Sequence, residues 1–201
     1  MPLERILLTI HHYPPRRVGG AELEARRLAQ WLSAKGVAVR VVCIENLSRG
    51  PQTTLAFVDE LDGAVQVWRI DLTIAESEDL ALWHNSPLLR AHLDELMACW
   101  RPQLAHVMSG YLMGAAPFDA AQKHHLPVVV TLLDFWFLCP TIQLLRGDGS
   151  LCSGPEAVEC ARCLYDERRI FRTIDQRAPQ VMQAFWYAAA EKKWPRDCHS
   201  A

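Results

Sequence analysis

Four cysteines in the last third of the chain have the residue type and spacing of a metal-binding set. Cys160 and Cys163 form a C-x-x-C pair, whose spacing lets both thiolates reach one ion. Cys139 and Cys152 precede them in a glycine-rich segment that is flexible enough to fold both inward. Four thiolates suit structural zinc at a closed tetrahedral site, with an iron–sulfur cluster as the second choice. The alternative is four unligated thiols, because the spacing from Cys139 to Cys152 is not that of a standard zinc knuckle.

A second group of residues is suited to bind an anion. Gly19 and Gly20 stand between a short apolar run and a helical pattern, where a backbone can approach a phosphate closely. Arg16 and Arg17 precede them, and guanidinium groups there would suit a phosphate or an acidic sugar. No G-x-G-x-x-G is present, so the segment lacks the dinucleotide fingerprint. A structural turn with solvated arginines is the alternative.

Asp134 and His106 are the candidates for proton transfer and ligand orientation. Asp134 directly follows the most strand-like segment, Val128–Leu133, at the edge where open α/β sheets place their ligands. It could orient a sugar hydroxyl or move a proton, and the alternative is that it caps the turn after the strand. His106 lies within another predicted strand, where the alternative is a half-buried, hydrogen-bonded histidine. The pair His11 and His12 follows the first strand and could face the same edge, or lie in a solvated loop.

Alternating strands and helices must position these residues. Five apolar runs are typical of strands: Arg5–Ile10, Val37–Ile44, Ala64–Ile70, Leu104–Met108 and Val128–Leu133. Helical spacing predicts three helices, which open at Glu22, at Ser86 with Pro87, and at Tyr111. Residues 46–63 are polar and broken by Gly50 and Pro51, so they predict an irregular connection. The resulting order predicts an α/β fold, with a doubly wound, mainly parallel sheet and helices on both faces.

The character of the sequence changes after Leu133. Residues 134–165 are rich in cysteine, glycine and aromatic residues and predict a loop-like segment. Residues 166–201 are predicted to be a C-terminal helical tail, with the helical pattern over residues 166–194 and a kink at Pro179. This tail combines four arginines with aromatic residues, as a helix lying on a membrane surface does. Acidic residues dilute that pattern, which favours ordinary packing on the domain and leaves peripheral membrane contact as the alternative.

Composition limits the classes of protein that fit. The chain has 201 residues, half of them hydrophobic, which suits a folded domain with a real core. Its net charge is −2 and no polybasic run is present, so we exclude a nucleic-acid binder. The apolar runs are too short to cross a bilayer, and the N-terminus does not resemble a signal peptide. A cytoplasmic location is therefore expected, where seven cysteines are free thiols or metal ligands rather than disulfides.

Several motifs, in order, resemble a known family. YPPRRVGGAE followed by LSAKGVAVRVV is similar to the start of retaining glycosyltransferases of the GT-B fold, family four, which typically read PP-x-x-GG-A-E and then G-H-x-V-x-V. RPQLAHVMS is similar to that family's R-P-D-h-h-H-h-H, and TLLDFWFLCP to T-x-H-D-x-W. SLCSGPEAVECARCL resembles the cysteine-rich stretch that one subset of these enzymes carries after that motif. The likeness spans residues 5–165.

The resemblance implies a Rossmann-like N-terminal half, residues 1–165, that mostly recognises the acceptor. Gly19 and Gly20 would face the diphosphate of a nucleotide-sugar donor, beside the N-terminus of the following helix. Arg16 and His106 would lie on the acceptor side, and Asp134 would be the catalytic candidate. The implied reaction is transfer of a hexose to a glycan or lipid-linked acceptor with retention, usually without a metal at the reaction centre. A lipid-linked acceptor would place the chain at the inner face of the membrane.

Two departures from the family pattern shape the functional hypotheses. Leu133 stands where the family has the histidine of T-x-H-D, and Met108 replaces the second histidine of the strand motif. The second, donor-binding half of the GT-B fold is not part of the sequence. The first hypothesis is therefore the acceptor-side half of a glycosyltransferase whose donor half is a separate chain. The alternatives are a non-catalytic module that binds a glycan or a protein, and a truncated, inactive gene product.

Overall fold

The computed structural model describes residues 2–78, 85–139, 141–146, 149–166 and 177–191. The chain separates into two compact units, Met1–Leu133 and Asp134–Ala201. The family-domain boundary expected at residue 165 stays a prediction. Within the described ranges, no helix combines the length and the apolar character needed to cross a membrane.

The first unit is built on one mainly parallel sheet. Its described elements, in chain order, are β1 Arg5–Ile10, α1 Gly20–Ala34, β2 Ala38–Gly50, β3 Thr54–Asp62, β4 Val65–Ala75, α2 Pro87–Trp100, β5 Leu104–Val107, α3 Ala116–Lys123 and β6 Val128–Val130. The strands lie in the order β3-β4-β2-β1-β5-β6. Every pairing is parallel except β3 with β4.

Apolar side chains pack on both faces of this sheet, because successive strand residues point to opposite sides. On one face, Leu7 of β1 belongs to a buried cluster with Leu93 of α2 and Ala120 of α3. On the other face, Leu8 belongs to a cluster with Ala25 of α1. The predicted α/β fold, with a doubly wound sheet and helices on both faces, is therefore confirmed.

The prediction of an irregular connection over residues 46–63 is wrong. β2 continues to Gly50, and β3 follows as an edge strand that pairs antiparallel with β4. Polar residues suggested a loop, but they belong to strand surfaces that face solvent. Asp62 ends β3, and the connection to β4 that follows it begins with Gly63, whose φ is +67°. Asp-Gly between two strands is a hairpin signal that the sequence interpretation overlooked.

Three other boundaries differ from the prediction. α1 begins at Gly20 rather than Glu22. α3 begins at Ala116 rather than Tyr111, because Leu112 and Gly114 have φ values of 60° and 57° that a right-handed helix does not accommodate. β6 covers only three residues of the six that were predicted, and its valines are more than a third exposed.

The second unit contains two described helices, α4 Ala157–Asp166 and α5 Pro179–Glu191. α4 falls in the segment that was predicted to be a loop, so that prediction is wrong for its last part. α5 confirms helix within the predicted tail, and Pro179 stands at its start, where proline fits the first turn. The kink at Pro179 stays a prediction. Residues 167–176 and 192–194 of the predicted tail lie outside the described residues, as do three of its four arginines.

Candidate functional site

The sheet order identifies the edge where a ligand site is expected. β1 lies inside the sheet, with β2 on one side and β5 on the other. The chain leaves β1 towards β2 through α1 and later reaches β5, on the opposite side, through α2. In open α/β sheets such a reversal opens a crevice outside the carboxyl ends of the two strands. The residues that follow β1 and β5 are therefore the best-placed candidates in the first unit.

His11, Glu22 and Tyr111 meet at this edge. Nε2 of His11 lies 3.2 Å from Oε1 of Glu22, in the first turn of α1. The rings of His11 and Tyr111 are in edge-to-face contact, with centroids 5.4 Å apart. Glu22 is only 8% exposed. The arrangement places an imidazole, a carboxylate and a phenol beside a helix N-terminus, where they can bind hydroxyl groups and move a proton.

The two glycines of the predicted anion-binding turn have different surroundings. Gly19 is extended, with φ −137°, so the backbone does not require glycine there. A Cβ atom on Gly19 would lie 2.5 Å from Oε2 of Glu22, which shows that Gly19 makes room for that carboxylate. A Cβ atom on Gly20 would meet no atom within 4 Å, and Gly20 is exposed. Space for a ligand therefore lies beside Gly20, whereas Glu22 fills the space beside Gly19.

A buried arginine holds the loop that leads to these glycines. Arg69 of β4 is 3% exposed and donates hydrogen bonds to the backbone oxygens of Tyr13 and Pro14, at 2.7 and 2.5 Å. Its guanidinium also donates to Glu45, at 3.1 Å, and to Glu60, at 2.8 Å. The hydrogen bond from Arg69 holds the pKa of Glu60 below its ordinary value. The loop thus depends on a buried cation two strands away from β1.

Tyr13 adds a second anchor to the same loop. Its side chain is fully buried, and its hydroxyl donates to Asp62 at 3.1 Å. Arg26 of α1 donates two hydrogen bonds to the same carboxylate, at 2.7 and 2.6 Å. Burial and the charge of Asp62 raise the pKa of Tyr13 well above its ordinary value, so the phenol stays protonated. Asp62 therefore connects the end of β3 to both the loop and α1.

Replacing Asp62 with asparagine should remove part of the acid sensitivity of the first unit. The hydrogen bonds from Arg26 depress the pKa of Asp62 more than burial raises it. A depressed carboxylate pKa stabilises the fold above the pKa of the unfolded chain, about 4. That stabilisation is lost as the pH falls through the lower, folded value. We expect Asp62→Asn to cost about 1–2 kcal/mol at pH 7 and almost nothing at pH 2, measured by urea unfolding.

Asp59→Asn is the matched control for this pH prediction. Asp59 lies on the same strand, and its carboxylate accepts a hydrogen bond from the side chain of Gln66 at 2.6 Å. The hydrogen-bond partner of Asp59 is an amide rather than a guanidinium, so Asp59→Asn should lower the free energy of unfolding at pH 7 by less than Asp62→Asn does. If the free energy of unfolding became equally insensitive to acid pH in both variants, the role given to Asp62 would be contradicted.

The structure does not bring the two predicted acceptor-side residues together. Arg16 forms an ion pair with Glu60, on the edge strand β3. Nε2 of His106 lies 2.7 Å from Oγ1 of Thr131, just after β6 at the opposite edge of the sheet. Burial lowers the pKa of His106, so its ring is neutral near pH 7. An acceptor-side role for either residue stays a prediction.

Asp134 opens the second unit, which is described here by itself. Its Oδ1 accepts a hydrogen bond from the backbone N–H of Trp136, at 2.9 Å. This bond is the turn-capping alternative that the sequence left open. Leu133, at the end of the first unit, is 37% exposed and has no group that can hydrogen-bond through its side chain. A catalytic role for Asp134 stays a prediction.

The four predicted metal-ligating cysteines line one pocket of the second unit. The other residues of its wall are Thr141, Leu145, Arg146 and Glu159. Burial raises the pKa of the Cys139 thiol, but hydrogen bonds from the Thr141 hydroxyl and from backbone N–H groups outweigh it, so the pKa is lowered. Among the residues that the structure describes, no three His, Cys, Asp or Glu side chains have the mutual geometry of a formed metal site. A zinc ion stays a prediction.

Glu22, Tyr111 and Arg69 are the candidate residues that the sequence interpretation missed. Glu22 was treated as a helix start, although an acid three residues after Gly19 is a known pattern of helix N-termini. Tyr111 was assigned to a helix, and only the adjacency of β1 and β5 brings it to His11. Arg69 gave no signal, because an arginine inside a strand is usually exposed.

Comparisons with known proteins add to this geometry. A family model described as a glycosyl transferase 4-like domain matches residues 19–175, more than half of the chain. An uncharacterized 42.6 kDa protein in the cps region of Klebsiella pneumoniae is 24% identical over 152 residues, which cover 73% of this chain and 41% of that relative. The chain therefore spans less than half the length of that relative.

Proposed function

Because the chain belongs to the glycosyl transferase 4-like domain family, we propose that it is the acceptor-side half of a glycosyltransferase. Glycosyl transfer as a general activity follows from the family. The proposal specifies this reaction further. The donor is a nucleotide sugar that gives a hexose, the acceptor is a glycan or a lipid-linked molecule, and the anomeric configuration of the donor is retained. The observation that carries it is the group of His11, Glu22 and Tyr111 beside the open surface at Gly20, where the strand order reverses.

The chemistry of transfer gives each of these residues a role. The bond from the anomeric carbon to the donor phosphate breaks, and a bond from the acceptor oxygen forms on the same face. The diphosphate that leaves gains negative charge, which the N-terminus of α1 stabilises at Gly20. The acceptor hydroxyl gives its proton to the departing phosphate oxygen on the same face, and His11, oriented by Glu22, would bind that hydroxyl. The resemblance implies a reaction that usually has no metal at its centre, so a zinc ion held by the four cysteines would be structural.

The donor diphosphate needs cationic partners in addition to the N-terminus of α1. Glu22 brings negative charge to the same helix end, so basic groups must offset the diphosphate from elsewhere. We propose that a second, donor-binding half contributes them, as further sequence or as a separate chain. A lipid-linked acceptor would place the reaction at the cytoplasmic face of a membrane.

Turnover of nucleotide sugars tests the proposal. The chain is assayed alone, fused to a donor-binding half, and mixed with that half as a separate chain, using labelled UDP-hexoses and GDP-hexoses with lipid and glycan acceptors. We expect no turnover by the chain alone, turnover in at least one of the two combinations, and a product with the anomeric configuration of the donor. The fused and separate arms distinguish the two sources of the donor half. No turnover in either combination would overturn the proposal.

Gly20→Val gives this assay a variant aimed at the open surface. A Cβ atom at this position meets no protein atom within 4 Å and Gly20 is exposed, so we expect the free energy of unfolding to change by less than about 0.5 kcal/mol. It occupies the space beside the helix end, so turnover should fall by about tenfold or more, equivalent to about 1.4 kcal/mol of transition-state binding. Leu23→Val, an exposed change in the same helical turn, is the control and should keep full turnover. If Gly20→Val kept the turnover of the parent protein, Gly20 would not border the donor site.

A non-catalytic binding module is the second candidate, favoured by Leu133 in place of the family's histidine. In that case the chain would bind acceptor glycans by itself, and no donor half would give turnover. Leu133→His separates the two candidates, since added turnover in the combined assay supports the enzyme. Glycan binding without turnover in either form supports the module.

A further inference from the structure

We propose that Cys139, Cys152, Cys160 and Cys163 form an all-thiolate zinc site that holds the second unit together. The four residues come from three separate places in the sequence and line one pocket. Cys139, Cys152 and Cys160 are free thiols. The inference is independent of the proposed transferase function, because it concerns the stability of the second unit and no reacting group.

Cys139 is the anchor of the site. It is 7% exposed and is the most buried of the four cysteines. The Thr141 hydroxyl lies 3.2 Å from its sulfur. Metal-binding side chains are commonly oriented by such hydrogen bonds from groups outside the ligand set, so Cys139 is already held in place by its surroundings.

The other three thiols reach the pocket through a short hairpin and a helix. The bridge between Leu145 and Leu151 pairs the chain with itself, and the N–H of Cys152 donates to the carbonyl of Leu144 at 2.8 Å. This pairing brings Cys152 next to the Cys139 loop. Cys160 and Cys163 lie three residues apart in α4 and so occupy one face of that helix.

Two of the four thiols have hydrogen bonds that explain why the cysteines share one pocket without the geometry of a formed metal site. The Cys152 thiol donates to the carbonyl of Gly154, at 3.2 Å, and the Cys163 thiol to that of Leu145, at 3.7 Å. A neutral thiol is a weak donor, so these bonds cost little to break. Binding of zinc would release both protons and turn the sulfurs towards the ion. Side-chain rotation is the required change, which is consistent with the absence of a formed three-ligand geometry among the described residues.

The chemistry of the four side chains favours zinc, because thiolates are soft ligands that suit a tetrahedral Zn²⁺ ion. Arg146 in the same pocket wall is paired with Glu159 at 2.7 Å, so the two charges of that pair offset each other. Cys139 and Met182 are the buried hydrophobic residues among those described in the second unit. A structural metal would add a further source of stability to this unit.

Metal analysis of the full chain, purified without a histidine tag, tests the site. We expect about one zinc ion per chain in the parent protein and less than about 0.2 in Cys139→Ser and Cys160→Ser. Cys99→Ser, which changes an exposed cysteine outside the pocket, should keep the full content. Less than about 0.2 zinc ions in the parent protein, equal loss in Cys99→Ser, a disulfide among the four cysteines, or an iron–sulfur chromophore would each overturn the proposal.

Cobalt substitution keeps the test decisive if a cysteine variant does not fold. Chelator-treated parent protein is titrated with Co²⁺, and we expect the intense visible bands of tetrahedral cobalt bound by four thiolates. The spectrum should saturate at one ion per chain and disappear when zinc is added. A weak spectrum of octahedral cobalt would show that the thiols do not close around an ion. Neither readout depends on donor or acceptor, so failure here leaves the proposed transferase function untouched.

Discussion

Replacing Arg69 with methionine is expected to lower the free energy of unfolding by about 3–5 kcal/mol. Methionine fills a similar volume but leaves the buried carboxylate of Glu45 without its cation, and the carbonyls of Tyr13 and Pro14 without donors. Leaving a buried charge uncompensated is the costly step, since the group has already lost its hydration. Urea unfolding followed by circular dichroism measures the change. Hydrogen exchange of residues 11–19 should rise in parallel, because the loop loses its anchor.

Arg90→Met is the control for this prediction. Arg90 is paired with Asp119 at 3.4 Å, and both side chains are more than a third exposed. Surface pairs of this kind contribute about 0–1 kcal/mol, so the control should be nearly neutral. Equal stability losses in the two variants would show that the Arg69 contacts do not hold the loop.

Tyr13→Ala should have an effect of similar size, about 3–5 kcal/mol, through a different cause. The ring is fully buried in the core cluster that contains Leu8 and Ala25, so truncation leaves a cavity and removes the bond to Asp62. Tyr13→Phe separates these contributions, because it keeps the ring and removes only the hydroxyl. We expect it to cost about 1–2 kcal/mol. If phenylalanine were as damaging as alanine, packing of the ring would not be the source of the stability.

The sequence predicts most of the first unit because local signals and long-range packing agree there. Apolar runs identify β1 and β5, and the Ser86 hydroxyl accepts from the N–H of Leu89 at 3.3 Å, as its position before Pro87 predicts. The edge strand β3 is different. Its pairing with β4 depends on contacts across the sheet, and its exposed surface has the composition of a loop.

The candidate site is only partly visible in the sequence for the same physical reason. Residue type and spacing are sufficient to identify Gly19 and the C-x-x-C pair as candidates in the sequence. The structure places all four cysteines around one pocket. The contact between His11 and Tyr111 depends on the order of strands, which no local pattern encodes. Arg69 is buried only because distant carbonyls and carboxylates surround it.

The carboxylate of Glu22 has a consequence for selectivity at the end of α1. The helix already carries its own internal anion, packed against Gly19 and paired with His11. An incoming anion has to compete with this resident group rather than enter a bare positive end. A small ion such as inorganic phosphate has few other contacts to make up for that competition. A larger ligand whose other groups bind elsewhere on the protein has such contacts. The carboxylate of Glu22 therefore favours large anionic ligands over small anions at this helix end.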